Sequence, residues 1–323
     1  MRTATSPAPA LGEQHLLHLR AGTRRWTATV TEVAAALRCL DVNGINLVAG
    51  FDQTVRPPFC SGIVLMPWPN RVRDGRWTFD GATLQLDITE PRYDNALHGL
   101  LRNAPYRVLT RSEAAITLTA QVFPQNGYPF HLDTAVHYAL HNDRLAVTHT
   151  VTNIGAVAAP VAIGAHPFLT IGDVPTDQLT LTVAAQRHIT VDERLNPIGS
   201  RPVAGTPYDL RAGRVVADLD LDDAWSDLDI IDGGSTHSLT APDGRTVSLW
   251  ADDQHNYLQV FTTRRYPDGG RHVTAVAVEP MTAPADAFNS GEGLKWLAPR
   301  QQWSVSWAIR YDDQPPVRDR AMR

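Results

Sequence analysis

Hydrophobic and polar residues alternate along most of the chain with a period of two. Residues 145–151 put Leu145, Val147 and Val151 on one face, around His149. Residues 116–122 do the same with Ile116, Leu118 and Val122. The runs 258–262, 273–278 and 303–309 repeat the pattern with Val, Ile, Thr and aromatic residues. That is the signature of half-buried strands. Turn markers fall between the runs: Asp74-Gly75, Asp80-Gly81, Asn153-Ile-Gly155, Asp243-Gly244 and Asp268-Gly269-Gly270. Asp243-Gly244 lies between Ser238-Leu-Thr and Thr246-Val-Ser-Leu-Trp250, which predicts a hairpin. Residues 31–40 have a helix-compatible composition, yet strand, turn and strand fit equally, and the neighbouring runs favour the latter. A strand-rich chain joined by hairpins makes a sandwich or a barrel.

Composition narrows this further. The chain has 323 residues, 43% hydrophobic and 20% charged, so it is neither disordered nor fibrous. Its 22 Gly and 23 Pro favour many short elements over a few long helices. The net charge of −5 gives no basic face for nucleic acid. No apolar run approaches the roughly 20 residues that span a bilayer. Two cysteines, Cys39 and Cys60, make no disulfide framework and are expected as buried, reduced thiols. The first 22 residues show no apolar h-region and no secretory cleavage pattern, so a cytoplasmic protein is expected. Residues 1–12 are Ser/Ala/Pro-rich and are expected to be a flexible tail, as is the polar segment 312–323. No linker or repeat divides 13–311, which predicts one catalytic domain. An exposed sheet edge could pair, so monomer and homodimer both stay open.

Three polar residues sit in apolar or tight-turn contexts. Asn95-Ala-Leu-His98-Gly99 places a His between Leu97 and Gly99. Ile163-Gly-Ala-His166-Pro-Phe-Leu169 places another inside an apolar strand. Val276-Ala-Val-Glu279 ends an apolar strand with a carboxylate, which is costly to bury without a partner. The same cost makes Glu279 a candidate base tuned by its surroundings. Taken singly, each His reads more simply as a satisfied core or turn residue, and Glu279 as a rim charge. Twelve His invite a metal reading, but no His-x-His or His-Glu-x-x-His spacing occurs, so no metal is expected.

Five segments in order resemble the aldose 1-epimerase, or galactose mutarotase, family. They are Asn70-Arg71 with Gly75, Phe79 and Gly81; Asn95-Ala-Leu-His98-Gly99; Asn153 with Gly164-Ala-His166-Pro-Phe168; Leu221-Asp222-Asp223-Ala-Trp225; and Glu279-Pro280 with Pro284 and Asp286-Ala-Phe-Asn289. The resemblance covers about 27–311. It implies an all-β, mostly antiparallel galactose-mutarotase-like β-supersandwich with few short helices. It implies Glu279 as general base on the anomeric hydroxyl and His166 as general acid on the ring oxygen, on different sides of the substrate. His98 would polarise the ring-oxygen side or hold a hydroxyl. Asn70, Arg71 and Asp222 would bind the sugar, with Asp223 the alternative should the alignment slip by one. Trp225 and Tyr106 are expected as apolar walls or, equally, as core; Phe168 and Phe288 fit the core better. The site is expected in a cleft on the concave face of the central sheet, open to solvent. No cofactor is implied, and the partner is a small molecule, an aldose or related hemiacetal.

After His98-Gly99 the run Leu100-Leu-Arg102-Asn103-Ala-Pro-Tyr106 departs from the family pattern and leaves the substrate open. A hexose-6-phosphate would need cations such as Arg71, Arg73, Arg76 and Arg102. A non-sugar hemiacetal or hemiketal of a secondary-metabolite pathway would use the same acid and base. A non-catalytic sugar-binding protein would need neither.

Overall fold

The computed structural model describes residues 9–313, and within them every ladder between strands is antiparallel. Nine strands form one sheet. Ala115–Val122, Leu132–Leu140 and Arg144–Asn153 make one antiparallel half, and Gly234–Thr240 and Thr246–Asp252 belong to the other. Gln302–Asp312 joins the halves at the centre, paired with Arg144–Asn153 on one side and Thr246–Asp252 on the other. An eight-stranded sheet carries Ala185–Val191, Asp222–Leu228, Tyr257–Asp268 and Arg271–Met281 side by side. A four-stranded sheet begins with Gln14–Ala21 and Arg24–Thr31. All three contribute to one apolar core, which includes Leu17, Trp26, Val147, Leu249, Val260 and Ile309. Helix among the described residues is confined to the four-residue turn Ala287–Ser290 and three short 3-10 turns, none long and apolar enough to cross a membrane.

The alternation carries through to packing. In Arg144–Asn153 every second side chain is buried, Leu145, Val147, His149 and Val151 among them. The hairpin around Asp243-Gly244 pairs Thr240 with Thr246. Asp80-Gly81 holds positive φ at both residues, the conformation that lets a two-residue loop follow the strand twist between Arg76–Phe79 and Ala82–Gln85. Residues 31–40 resolve as strand, turn and strand, with Ala34 and Ala35 left-handed between Arg24–Thr31 and Leu37–Val42. Cys39 and Cys60 are free and half-buried. Part of the expected amino-terminal tail is tied down: Ala10 donates to the Gln53 carbonyl at 2.9 Å, and Leu11 is buried. Residues 1–8 and 314–323 of the expected tails lie outside the described residues.

Several buried His residues couple the core to pH. Burial holds His149 and His237 down to about 3, against an ordinary value near 6.5. An unfolded chain takes up these protons below about pH 6.5 and the folded one refuses them, so stability falls as pH drops from there towards 3. His237 Nδ1 accepts the Ala184 N–H at 3.2 Å, a bond an Asn oxygen can replace. His237→Asn is therefore expected to flatten the fall in unfolding free energy between pH 6 and 4.5 by about 1.4 kcal/mol per pH unit. Denaturant titrations across that range read the slope, and an unchanged slope would exclude a neutral buried imidazole.

Candidate active site

Three neighbouring strands build the floor of the site. Asp222–Leu228 pairs Ala224 with Gln259 on Tyr257–Asp268, and Gln259 pairs with Glu279 on Arg271–Met281. On the far side of Glu279, Gly164 faces Met281 and Phe168 faces Ala277, which brings His166 opposite Glu279. Ala224, Gln259, Glu279 and His166 thus form one cross-strand row. Two residues along, on the same face, lie Asp222, Phe261, Ala277 and Phe168.

This parity puts the two aspartates on opposite faces of the sheet. Asp222 faces the site, whereas Asp223 turns to the other face and meets His188 Nε2 at 2.8 Å. Trp225 stands three residues from Asp222 in the same strand, so it faces away too. It is fully buried in the main core with its indole N–H on the Tyr208 carbonyl, and it is no wall of the site. Tyr106 is corrected likewise: its N–H binds the Glu32 carbonyl and its ring lies in the main core. Asn103 is an exposed turn residue. Phe168 and Phe288 are buried, as their contexts predict.

A second layer folds over the floor. Arg71–Arg73 pairs with Asn95–Leu97, bringing Asn70 and His98 together. His98 N–H donates to the Asn70 carbonyl at 2.8 Å, and Asn70 N–H donates to His98 Nδ1 at 3.2 Å. Both residues are left-handed. Gly99 follows because a Cβ there would come within 2.1 Å of the Met66 carbonyl oxygen. The Asn70 amide donates to Gln259 Oε1 at 3.1 Å, and Gln259 Nε2 donates to Asp222 Oδ1 at 2.7 Å. Arg71 forks Glu90 at 2.8 and 3.0 Å and reaches Asp222 Oδ2 at 3.2 Å. Gln259 and Glu90 complete the network, and neither was expected from sequence. Gln259 had a parity signal, two residues from Phe261 and opposite Glu279; Glu90 had none.

At the centre, His166 Nε2 lies 3.3 Å from Glu279 Oε1. Glu279 is only 1% exposed. Burial pushes its carboxyl well above the ordinary range; Asp222 adds to this and Arg71 opposes it. Burial pulls His166 down to about 4. His98 is held well below its ordinary value by burial, then by His166, Arg71 and Arg102. Burial raises the Asp222 carboxyl, with Arg71 pulling it back. These groups lie deep, Glu279 1% and His166 4% exposed, whereas the Asp222 side chain is 30% exposed. The expected acid and base are neighbours in one row, not partners across a gap.

His98, His166 and Glu279 could be read as a metal trio, since one ligand atom of each lies within 4.8 Å of the others. The hydrogen bonding speaks against that for His98. Its Nδ1 lone pair is taken by the Asn70 N–H, so the neutral ring carries its proton on Nε2. That leaves an N–H donor where a metal would need a lone pair.

Comparison with known proteins bears on the family and the fold. The aldose 1-epimerase family profile matches residues 15–310. An uncharacterized Escherichia coli protein, YihR, is 33% identical over 272 residues, 84% of this chain and 85% of that one. The Escherichia coli aldose 1-epimerase is 26% identical over 61% of this chain and 58% of its own length. A GalM/aldose epimerase homologue from C. elegans superposes with a TM-score of 0.79 at 18% identity, covering 93% of this chain and 99% of that one. Galactose 1-epimerase from Lactobacillus acidophilus gives 0.75 at 17% identity, covering 93% and 98%. At these identities the structural likeness is one of fold, a galactose-mutarotase-like β-supersandwich.

Proposed function

Because this chain belongs to the aldose 1-epimerase family, we propose that it interconverts the α and β anomers of a free aldose through the Glu279–His166 pair. The observation that supports this most is the 3.3 Å contact between two buried groups that burial pushes towards their neutral forms. Such a pair holds one proton between its members. Ring opening needs one proton removed and one delivered, at two oxygens borne by the same carbon. The pair's one proton first passes from Glu279 to His166 across the 3.3 Å contact, and the Glu279 carboxylate then takes the O1 proton as C1=O1 forms. The C1–O5 bond breaks and His166 gives its proton to O5. The aldehyde turns about C1–C2, O5 attacks its other face and returns a proton to His166, and Glu279 gives its proton back to O1. His98 Nε2–H donates to a substrate oxygen without changing charge. Asn70, Arg71, Gln259 and Asp222 offer both donors and acceptors for hydroxyls. A binding protein alone would gain nothing from burying an acid and a base together.

The test is polarimetry on fresh α-D-glucose and α-D-galactose at low buffer concentration, with glucose 6-phosphate alongside. Acceleration of a free aldose is expected. Of four arginines that could grip a phosphate, Arg71 forks Glu90, Arg73 holds Asp192 and Arg76 holds Gln85. Arg102 has one long bond, 3.5 Å to the Leu97 carbonyl. Acceleration of the phosphate ester alone would move the substrate to the phosphorylated class. Folded protein that accelerates none of the three would overturn the aldose reading and favour a non-sugar hemiacetal.

A further inference from the structure

We propose that Phe59 is the apolar wall of this site, the surface on which the C–H face of the sugar ring lies. The inference rests on the aldose reading above and names a contact for it that Trp225 and Tyr106 do not supply. Residues 57–62 are fastened to the catalytic row, for Gly62 N–H donates to the His166 carbonyl at 2.8 Å. Phe59 lies over Phe261, ring centroids 5.8 Å apart, and Tyr266, 6.5 Å away. Phe261 is two residues from Gln259 on the site face and pairs with Asp222, so Phe59 packs beside the polar edge of the site.

Its exposure is out of keeping with its neighbours. Phe168 and Tyr266 are each 1% exposed, whereas Phe59 is 41% exposed. The ring is supported beneath by other aromatics and open above. The backbone is held for it as well. Phe59 and Cys60 take φ of 49° and 61°, a left-handed pair that non-glycine residues avoid. Ser61 N–H on the Pro58 carbonyl at 2.8 Å and Tyr266 Oη on Ser61 Oγ at 3.1 Å fasten the turn. Keeping a bulky aromatic in this conformation makes sense where the ring's position is the product. Asn70, Gln259 and Asp222 supply the polar edge of the site. A sugar also presents an apolar face, and an aromatic plane is its natural partner.

Phe59→Ala and Phe59→Tyr, assayed on the aldose with the fastest turnover, test this. Phe59→Ala is expected to raise KM about tenfold with kcat within about twofold, and Phe59→Tyr to restore KM. An unchanged KM in folded Phe59→Ala sinks the wall while leaving the aldose reading intact. So does a fall in kcat that Tyr fails to rescue, which would make the ring a prop for the His166 strand. Wild-type protein that accelerates no aldose removes the reading and the wall together.

Discussion

Glu279→Gln is expected to lose about a thousandfold of turnover or more while the folded protein becomes more stable. The two effects have one cause. A carboxylate that removes a proton contributes about 10²–10⁴ in rate as a positioned base, and an amide of the same shape cannot accept that proton. The carboxyl is also held where ionisation is costly, being almost wholly buried with Oε2 unpartnered. Its folded-state value is raised, so between about pH 4.5 and that value the unfolded chain releases a proton the folded one keeps. The contribution of Glu279 to wild-type stability therefore declines as pH rises through this window, and Gln carries no such contribution. Melting at pH 4 and pH 7.5 is the measurement. The melting temperature of Glu279→Gln relative to wild type should rise on going from the lower to the higher pH. Wild-type rates in the variant would remove Glu279 as the base. A variant less stable by the same amount at both pH values would mean the carboxylate is structurally paired rather than held for chemistry.

How far the sequence foretold this site depends on which level set each residue. Period-two runs and Asp-Gly turns are local, and Leu145, Val147 and the hairpin at Asp243-Gly244 fall as the pattern requires. The family segments bring Asn70, Arg71, His98, His166, Asp222 and Glu279 into one cluster. Parity, pressed harder, would have excluded Trp225, since residues three apart in a strand cannot share a face. It would equally have singled out Gln259. Glu90 was beyond reach. It lies in an irregular stretch, and only the fold brings it beside Arg71, nineteen positions away. The depth of the site was beyond reach for the same reason, since segments 57–62 and 95–99 are placed by contacts between distant parts of the chain.

His166→Asn is expected to lose about 10²–10³ in turnover and, more tellingly, one limb of its pH profile. In the wild type the working pair carries one proton. A second proton, entering as pH falls, silences the base, and loss of the last, as pH rises, silences the acid. The rate is therefore bell-shaped, and its two apparent pKa values belong to the pair rather than to either residue. Burial pulls His166 down to about 4, so in the resting pair the ring is mostly neutral and the shared proton lies on Glu279. Asn has no proton to lose. The variant's remaining rate should rise with pH as Glu279 ionises and then stay level, with no alkaline fall. His98→Asn should behave differently. His98 Nδ1 is occupied by the Asn70 N–H, so His98 acts as a fixed neutral donor, which an amide replaces in part. A loss of about tenfold with both limbs kept is expected. Rate against pH for the three proteins separates the roles: an alkaline limb that disappears with His98 and survives without His166 would exchange them, making His98 the acid and His166 the fixed donor.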